Sequence, residues 1–503
     1  MRALVNDWLR SAIGCGIRVA GVVFSGLMKV RLRRFETKQE RLKRKYKGSL
    51  NKRKRRTDGR FAVTSGSAGD PKRILYSRQR LRACKWMFSD MFARACREFK
   101  IARTSLYVFS SFEPDDSLTS MLLEEVDLPN YLATLQAPYR VQRVPAIRAL
   151  AAEYGPTAVR LWILTLSNPG VLYSTNPSTL STFFDDLAHN WRESSELVRN
   201  WCRDPKRFNP DIRRIARKLA SAGSEARLKT IATHDAPLPI DLWAPAVEAY
   251  ICWTGGYVKP FLDKLQKYLP SPHYRLIPMY SMSTETIETL TYFDRNDVYF
   301  IPLAPGVVYE FREETQDQLI KPAELVPGKL YEMIVSNSYD LRRYRTGDLF
   351  LCRRKIKGLP DLVFVRRRGL QYSFTGEKLT GEQVSLVFEQ LRERYPQVLA
   401  DQFLTCLPSA ETIPHYKVLL IGGPQHAATH LDDMAARCDR LLGEINCEYR
   451  SKRASGRLGP LTLVQTGTKE FAETFSLHSG WESQFKFLPL CPHLTWNGTK
   501  PVS

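Results

Sequence analysis

The chain has 503 residues, 43% of them hydrophobic and 11% aromatic. That is enough apolar material for about three units of ordinary domain size, and it excludes wholesale disorder or a collagen-like rod. No uncharged run reaches the roughly 20 residues that a helical span needs, so a polytopic membrane protein is excluded as well; the nearest approach, 13–30, carries Arg18 and Lys29.

The net charge of +23 is concentrated at one end. Residues 1–60 hold 19 Lys and Arg against 4 acids, a balance of +15, and the other 443 residues hold 56 against 48, a balance of +8. Within 4–30, Val5, Trp8, Leu9, Ala12 and Ile13 recur at helical spacing. They fit an N-terminal helix docked on the main body, or a helix lying on a membrane surface ahead of a polybasic stretch. Asp7 interrupts the charged-then-apolar order of a secretory signal. Residues 31–56 are helix-permissive and then solvated. Their run Lys52-Arg53-Lys54-Arg55-Arg56 suits an exposed linker, or contact with an anionic membrane or nucleic acid by residues 31–60.

From Arg60 onward strand and helix signals alternate. Phe61-Ala62-Val63 reads as a short buried strand, 64–69 as a small-residue loop, and Leu81, Cys84, Phe88, Met91 and Phe92 as one face of a helix. Strand, glycine loop and helix in that order make an α/β unit. Helices are expected at 146–166, broken at Gly155-Pro156, and at 177–198. Hairpins are expected within 298–312 and 330–354, and a last strand at 362–368 ends in three arginines. A helix at 381–394, a strand at 417–422, a helix at 431–442 and a strand near 461–465 form a compact α+β unit. The predicted organisation is a basic helical segment 1–60, a large domain 61–367 and a small domain 368–503, without internal repeats. Ten cysteines are scattered singly with no CxxC pair, which predicts reduced thiols and a cytoplasmic protein.

The strongest chemical signal is Thr64-Ser65-Gly66-Ser67-Ala68-Gly69-Asp70-Pro71-Lys72. Small side chains let a backbone approach a phosphate closely, N–H groups and hydroxyls donate to its oxygens, and Lys72 adds charge. An ordinary turn has the same composition.

This string resembles the phosphate loop of the adenylate-forming superfamily, which includes acyl-CoA ligases and luciferases. Further strings narrow the resemblance: Cys252-Trp253-Thr254-Gly255-Gly256-Tyr257, Tyr280-Ser281-Met282-Ser283-Thr284-Glu285, Tyr309-Glu310-Phe311, Tyr344-Arg345-Thr346-Gly347-Asp348, Gly376-Glu377-Lys378-Leu379-Thr380 and Ser483-Gln484-Phe485-Lys486. Together they resemble the auxin-responsive, Gretchen-Hagen-type acyl acid amido synthetases of plants and their bacterial relatives, over about 61–490 and in the correct order. The resemblance implies an α/β fold, with a large adenylate-forming domain of sheets flanked by helices and a smaller mobile α+β domain that closes over it. It implies a monomer that joins a carboxylic acid to an amine, usually an amino acid, with ATP and Mg2+. The acid is first adenylated, releasing pyrophosphate, and the amine then displaces AMP.

Residue by residue, the resemblance gives Thr64, Ser65, Gly66, Ser67, Gly69 and Lys72 to the triphosphate, and Ser283 and Thr284 to the α-phosphate or adenine region. Glu285 would carry the metal, since a hard cation wants a carboxylate; alternatively it is the first-turn acid of a helix that Ser283-Thr284 would cap. Asp348 would accept from the ribose hydroxyls, and Arg367, whose register against Arg366 and Arg368 is open, would reach ribose or phosphate. Lys486 would stabilise charge in adenylation and Lys378 in the other half-reaction. Residues 164–173 and 253–257 would flank the acid pocket, whose aromatic content suits an apolar or aromatic acid. Two departures stand out: Ala68 replaces a hydroxyl residue, and the lead-in before the loop is short and basic. A thiol-acylating ligase, or a degenerate scaffold that binds nucleic acid or membrane, shares most of these features.

Overall fold

The computed structural model describes residues 2–48, 59–63, 73–113, 118–124, 130–255, 258–295, 297–313, 318–337, 339, 341–367, 371–372, 377, 379–399, 402–409, 413–423, 428–456, 458–475 and 488–491. Strand β1 (Arg60–Val63) pairs antiparallel with β2 (Arg73–Tyr76), Val63 opposite Arg73. A second strand therefore separates the glycine-rich segment from the following helix, where the sequence pattern alone puts the helix directly after the loop. Ala62 is fully buried while Phe61 is 44% exposed.

The large lobe is organised by an all-parallel sheet: β3 (Leu106–Val108), β4 (Val171–Tyr173), β5 (Ala249–Cys252) and β6 (Arg275–Pro278), in that order. The strands are short and, in the middle two, wholly buried, as parallel strands covered on both faces must be. Strands β7 (Leu290–Asp294) and β8 (Asp297–Ile301) form a separate hairpin. Strands β9 (Val307–Glu313), β10 (Leu330–Asn337), β11 (Tyr344–Ile356) and β12 (Leu359–Arg367) form an antiparallel meander. Hence 298–312 is not one hairpin: β8 pairs backward with β7 and β9 forward with β10. Pro302 and Pro305 sit in the connection and lack the N–H groups that a ladder across it would need. The segment 177–198 is likewise two helices, Pro177–His189 and Trp191–Arg203, parted at Asn190. The break at Gly155 between Pro145–Tyr154 and Pro156–Ser167 is as expected.

The small lobe has its own core, from Leu379 to Leu490. Strands β13 (Gln371–Tyr372) and β14 (Leu379–Thr380) pair at its entrance, and β15 (Phe403–Ser409), β16 (His415–Ile421) and β17 (Thr462–Thr466) form its sheet. Helix Gly381–Arg394 starts where predicted because Thr380 and Gln383 form a reciprocal capping box, at 3.2 and 3.1 Å. Phe403 of this lobe stacks on Phe261 of the large one, 5.9 Å between ring centres and 11° between planes.

The N-terminal segment forms helices α1 (Arg2–Arg33) and α2 (Phe35–Gly48). In α2, the Gln39 amide donates to Val307 O at 2.9 Å and accepts from Tyr309 N at 3.1 Å, which satisfies the free edge of β9 as a strand would. Helix α1 docks through Asn6, Arg10, Gly14 and Gly21 and, toward its C-terminal end, through Met28 and Leu32, not through the apolar set that its spacing brings out near the start. Asn6 donates to the carbonyls of Lys218 and Ala220, and Arg10 to that of Leu219 at 2.6 Å. Those carbonyls end helix Pro210–Leu219 and have no partner within it. Burial alone would raise the Asp7 carboxyl, but the Ala222 N–H and the Arg103 and Arg10 guanidiniums bring it below its ordinary value. Farther along, α1 packs on helix α3 (Arg78–Glu98) at Gly21, where a Cβ would stand 2.3 Å from the Ala93 carbonyl oxygen.

Two glycines of α1 should therefore respond oppositely in thermal or urea denaturation. Gly21→Ala should lose about 1–3 kcal/mol, because backbone cannot yield to the new methyl. Gly26→Ala, where nothing lies within 4 Å, should gain about 0.5–1 kcal/mol from helix propensity.

Candidate active site

Residues 281–289 join the end of the parallel sheet to β7. They are rich in β-branched side chains (Thr284, Thr286, Ile287, Thr289), which suit extended backbone better than helix. The segment folds as a tight loop pinched by a bridge between Met282 and Ile287. Ser283 and Thr284 thus cap no helix, and the reading of Glu285 as a first-turn helix acid is set aside. Ser283 closes the loop on itself: its N–H donates to Thr286 O at 2.9 Å, and its Oγ accepts from Thr286 N at 3.3 Å. Ser281 is held from both sides, by Thr289 Oγ1 on its N–H at 3.0 Å and by its own hydroxyl on Glu288.

The loop is fastened to the rest of the lobe at its tip. Tyr76, at the end of β2, donates its hydroxyl to Thr284 O at 2.7 Å. Arg80, in the first turn of α3, donates Nη2 to Thr284 O at 3.3 Å and to Glu285 O at 2.6 Å, and Nη1 to Leu75 O at 3.0 Å. Its guanidinium lies 3.9 Å from the Tyr76 ring centre and 5.1 Å from that of Tyr339. Burial pushes the Tyr76 phenol far up, so it remains a neutral donor. Tyr309 anchors the far side, donating to Ile287 O at 2.9 Å. Glu285 is 8% exposed, and its Oε1 accepts from the Tyr344 hydroxyl at 3.3 Å.

Tyr344 opens β11, which also carries Asp348, 8% exposed and directly opposite Arg367 of β12. Between them Thr346 donates to Met333 O at 2.9 Å and accepts from Asp348 N at 3.1 Å. Gly347 has φ +74°, which favours glycine at that point of the string. Arg345 turns away: it grips buried Glu332 with two bonds of 2.9 Å, beside Arg312 at 2.7 Å from the same carboxylate. In this string, then, Tyr344 reaches the loop of Glu285, Asp348 lies on the same strand, and Arg345 serves the sheet.

The structure therefore brings Ser283, Thr284 and Glu285 into one loop, joins Glu285 to the strand of Asp348, and sets the Arg367 backbone against Asp348. The segment bearing Thr64, Ser65, Gly66, Ser67, Gly69 and Lys72 lies outside the described residues, as do Lys378 and Lys486. Of the string that contains Lys378, Glu377 is fully buried and accepts from Tyr416 Oη at 2.6 Å, while Asn446 donates to its carbonyl at 2.9 Å. Sequence reading missed Tyr76 and Arg80, which belong to no string; Tyr344 and Tyr309 lay within strings but had no role assigned.

Of the two segments expected to flank an acid pocket, 164–173 ends in Tyr173, which donates to Met279 Sδ at 3.2 Å and whose phenol burial pushes up to about 12. In the other, Trp253 lies 5.3 Å from Phe364. Burial raises the thiols of Cys84 and Cys491 to about 11 and those of Cys252, Cys406 and Cys438 further, so these sulfurs are not thiolate nucleophiles at neutral pH. Among the described residues no group of three or more His, Cys, Asp or Glu could hold a metal by itself. Glu285 Oε2 makes no hydrogen bond to another described residue. One hard carboxylate oxygen fits a cation whose other ligands come from phosphate and water.

Two stretches match known domains: 298–367 the GH3 family central domain, and 382–492 the GH3 family C-terminal domain. Jasmonoyl--L-amino acid synthetase GH3.5 of Oryza sativa subsp. japonica is 25% identical over 359 residues, covering 63% of this chain and 60% of the relative. Indole-3-acetic acid-amido synthetase GH3.4 of Arabidopsis thaliana is 25% identical over 362 residues, covering 63% and 57%. The matched region thus spans about three fifths of these curated relatives' own length. Among solved structures, AtGH3.15 acyl acid amido synthetase in complex with 2,4-DB superposes with a TM-score of 0.62 at 15% identity, covering 86% of this chain and 80% of that one. The chain thus carries a GH3 family central domain followed by a GH3 family C-terminal domain, on the fold of a solved acyl acid amido synthetase.

Proposed function

We propose that this chain is an ATP-dependent acyl acid amido synthetase of the cytoplasm. The observation that carries the reading is the clamp of Tyr76 and Arg80 on the Thr284 and Glu285 carbonyls. It sets the base of the hairpin that bounds 64–72 against the metal-binding candidate, which Tyr344 links to the strand of Asp348. The rice and Arabidopsis relatives, named a jasmonoyl--L-amino acid synthetase and an indole-3-acetic acid-amido synthetase, support the reaction type.

In this reading a carboxylate oxygen of the acid attacks the α-phosphorus of ATP and pyrophosphate leaves. The nitrogen of an amino acid then attacks the acyl carbon, losing a proton, and AMP leaves. Thr64, Ser65, Gly66, Ser67, Gly69 and Lys72 hold the phosphates, with Ser283 and Thr284 toward the α-phosphate or adenine. Glu285 holds Mg2+, which when bound neutralises charge on the departing pyrophosphate. Asp348 accepts from the ribose hydroxyls, and Arg367 supports ribose or phosphate. Lys486 and Lys378 stabilise developing charge in the two half-reactions. The flanking segments 164–173 and 253–257 suit an apolar or aromatic acid.

Acid-dependent exchange of labelled pyrophosphate into ATP tests the first step. Exchange should be seen with at least one apolar acid and should fall about 100-fold or more in Asp348→Ala, the loss expected for two charge-assisted hydrogen bonds. Exchange that survives this substitution overturns the assignment. In the second step an amino acid, and not coenzyme A, should accelerate AMP release.

Arg80→Leu should cost about 2–4 kcal/mol in urea denaturation, because Thr284, Glu285 and Leu75 lose a charged donor. It should also weaken exchange in the protein that remains folded, through the loss of the hold on the Thr284 and Glu285 carbonyls.

A further inference from the structure

Helix α1 is inside out for a helix of a water-soluble surface. Soluble amphipathic helices turn their apolar stripe to the core. Here Leu4, Trp8, Val19, Val22, Val23 and Leu27 project into solvent, Trp8 at 69% and Val19 at 65% exposure, while Asn6 and Arg10 are buried. Of the fourteen large hydrophobic side chains exposed among the described residues, eight belong to this one helix. The stripe runs roughly 35 Å from Leu4 to Leu27 at the helical rise. The three charges within 3–28 face the body: Asp7 and Arg10 in the docking contacts, and Arg18 on the carbonyls of Ile101 and Ala102. Trp86 of α3, 63% exposed, extends the apolar surface beside Phe24, their rings edge to face at 6.0 Å.

By length and composition α1 could cross a membrane, with a mean hydropathy of 1.6 over its most apolar window. Its polar face argues against that, since Asn6, Arg10 and Arg18 are spent on carbonyls of the protein body and hold the helix along it. The chain directly after this stripe is strongly cationic. Residues 31–56 carry 14 Lys and Arg against two acids, and Arg41, Arg44 and Lys45 of α2 are exposed.

We propose that α1 is a monotopic membrane anchor, laid flat in the surface of an anionic lipid bilayer with its Leu4–Leu27 stripe in the acyl boundary and the exposed cations of α2, Arg41, Arg44 and Lys45, on lipid headgroups. An apolar stripe gives binding that a neutral surface also offers; the adjoining cations add selectivity for negative lipid, and two such signals give stable attachment where one is marginal. Tryptophan at both ends of the surface, Trp8 and Trp86, suits the headgroup level. A second copy of this chain is a poorer occupant, because it would bring another strongly basic segment to the same face. Nucleic acid would use the cations and leave the stripe bare.

Flotation of the full chain with lipid vesicles tests this without acid, ATP or turnover. The protein should float with phosphatidylcholine vesicles that contain phosphatidylserine, and far less with phosphatidylcholine alone or at high salt. Trp8→Ser/Val19→Ser/Val23→Ser changes only exposed positions, so its melting temperature should stay the same while partitioning falls at least about tenfold. Arg41→Glu/Arg44→Glu/Lys45→Glu should abolish the preference for negative vesicles. The proposal is overturned if the protein stays out of both vesicle types. It is equally overturned if the triple serine variant merely turns a dimer into a monomer, or if DNA duplex binding that ignores that variant is the only interaction found.

Discussion

Two carbonyl oxygens at the tip of a loop, those of Thr284 and Glu285, are held by Tyr76 and Arg80, and the arrangement of the candidate site depends on that contact. Loop carbonyls taken out of water must find donors, and a guanidinium 5% exposed must find acceptors. Each need meets the other here. The result joins three parts of the chain far apart in sequence: the hairpin of β1 and β2, the first turn of α3, and the connection from β6 to β7. Tyr344 adds β11 as a fourth through Glu285. A site assembled from four segments keeps its geometry only if their joints are stiff, and a charged donor stacked on two phenol rings is a stiff joint.

Legibility in the sequence depends on where information is local. The helix at 381–394 was readable to the residue because its start is encoded three positions apart, in Thr380 and Gln383. The break at Gly155-Pro156 was readable because proline disfavours helix in the residue before it. Partner choice was not readable at 298–312, since alternation marks a strand without saying which strand lies beside it. The roles of Tyr76 and Arg80 were invisible for a related reason: their partners are more than 200 positions away, and neither residue type is unusual where it stands. Motif strings gave candidate members of the site in order, yet within one string they could not separate Asp348 from Arg345, whose guanidinium is committed to Glu332.

Helix α1 shows how periodicity fixes a stripe without fixing its direction. Val5 and Trp8 do recur on one face, and a core-facing stripe is the ordinary outcome. The surface beneath α1 decided otherwise. It presents the carbonyls that end helix Pro210–Leu219 and those that come after α3. Those oxygens attract amide and guanidinium donors, and a cation there also meets the negative end of the helix dipole. Polar groups on the chain's own body thus turned the apolar stripe outward.

The pairing of β13 with β14 marks where the chain passes from one lobe to the other. Arg367 is the last residue laddered to the large lobe, opposite Asp348, and Gln371 is the first laddered to the small one, opposite Thr380. Three positions, 368–370, separate these two moorings in the sequence, and a chain that short spans at most about 14 Å. Phe403 stacked on Phe261 is a further point of attachment between the lobes. Whatever angle the lobes take, the strand of Asp348 and the mouth of the small lobe stay within that tether of each other, and an inserted glycine would widen the limit by one residue's reach.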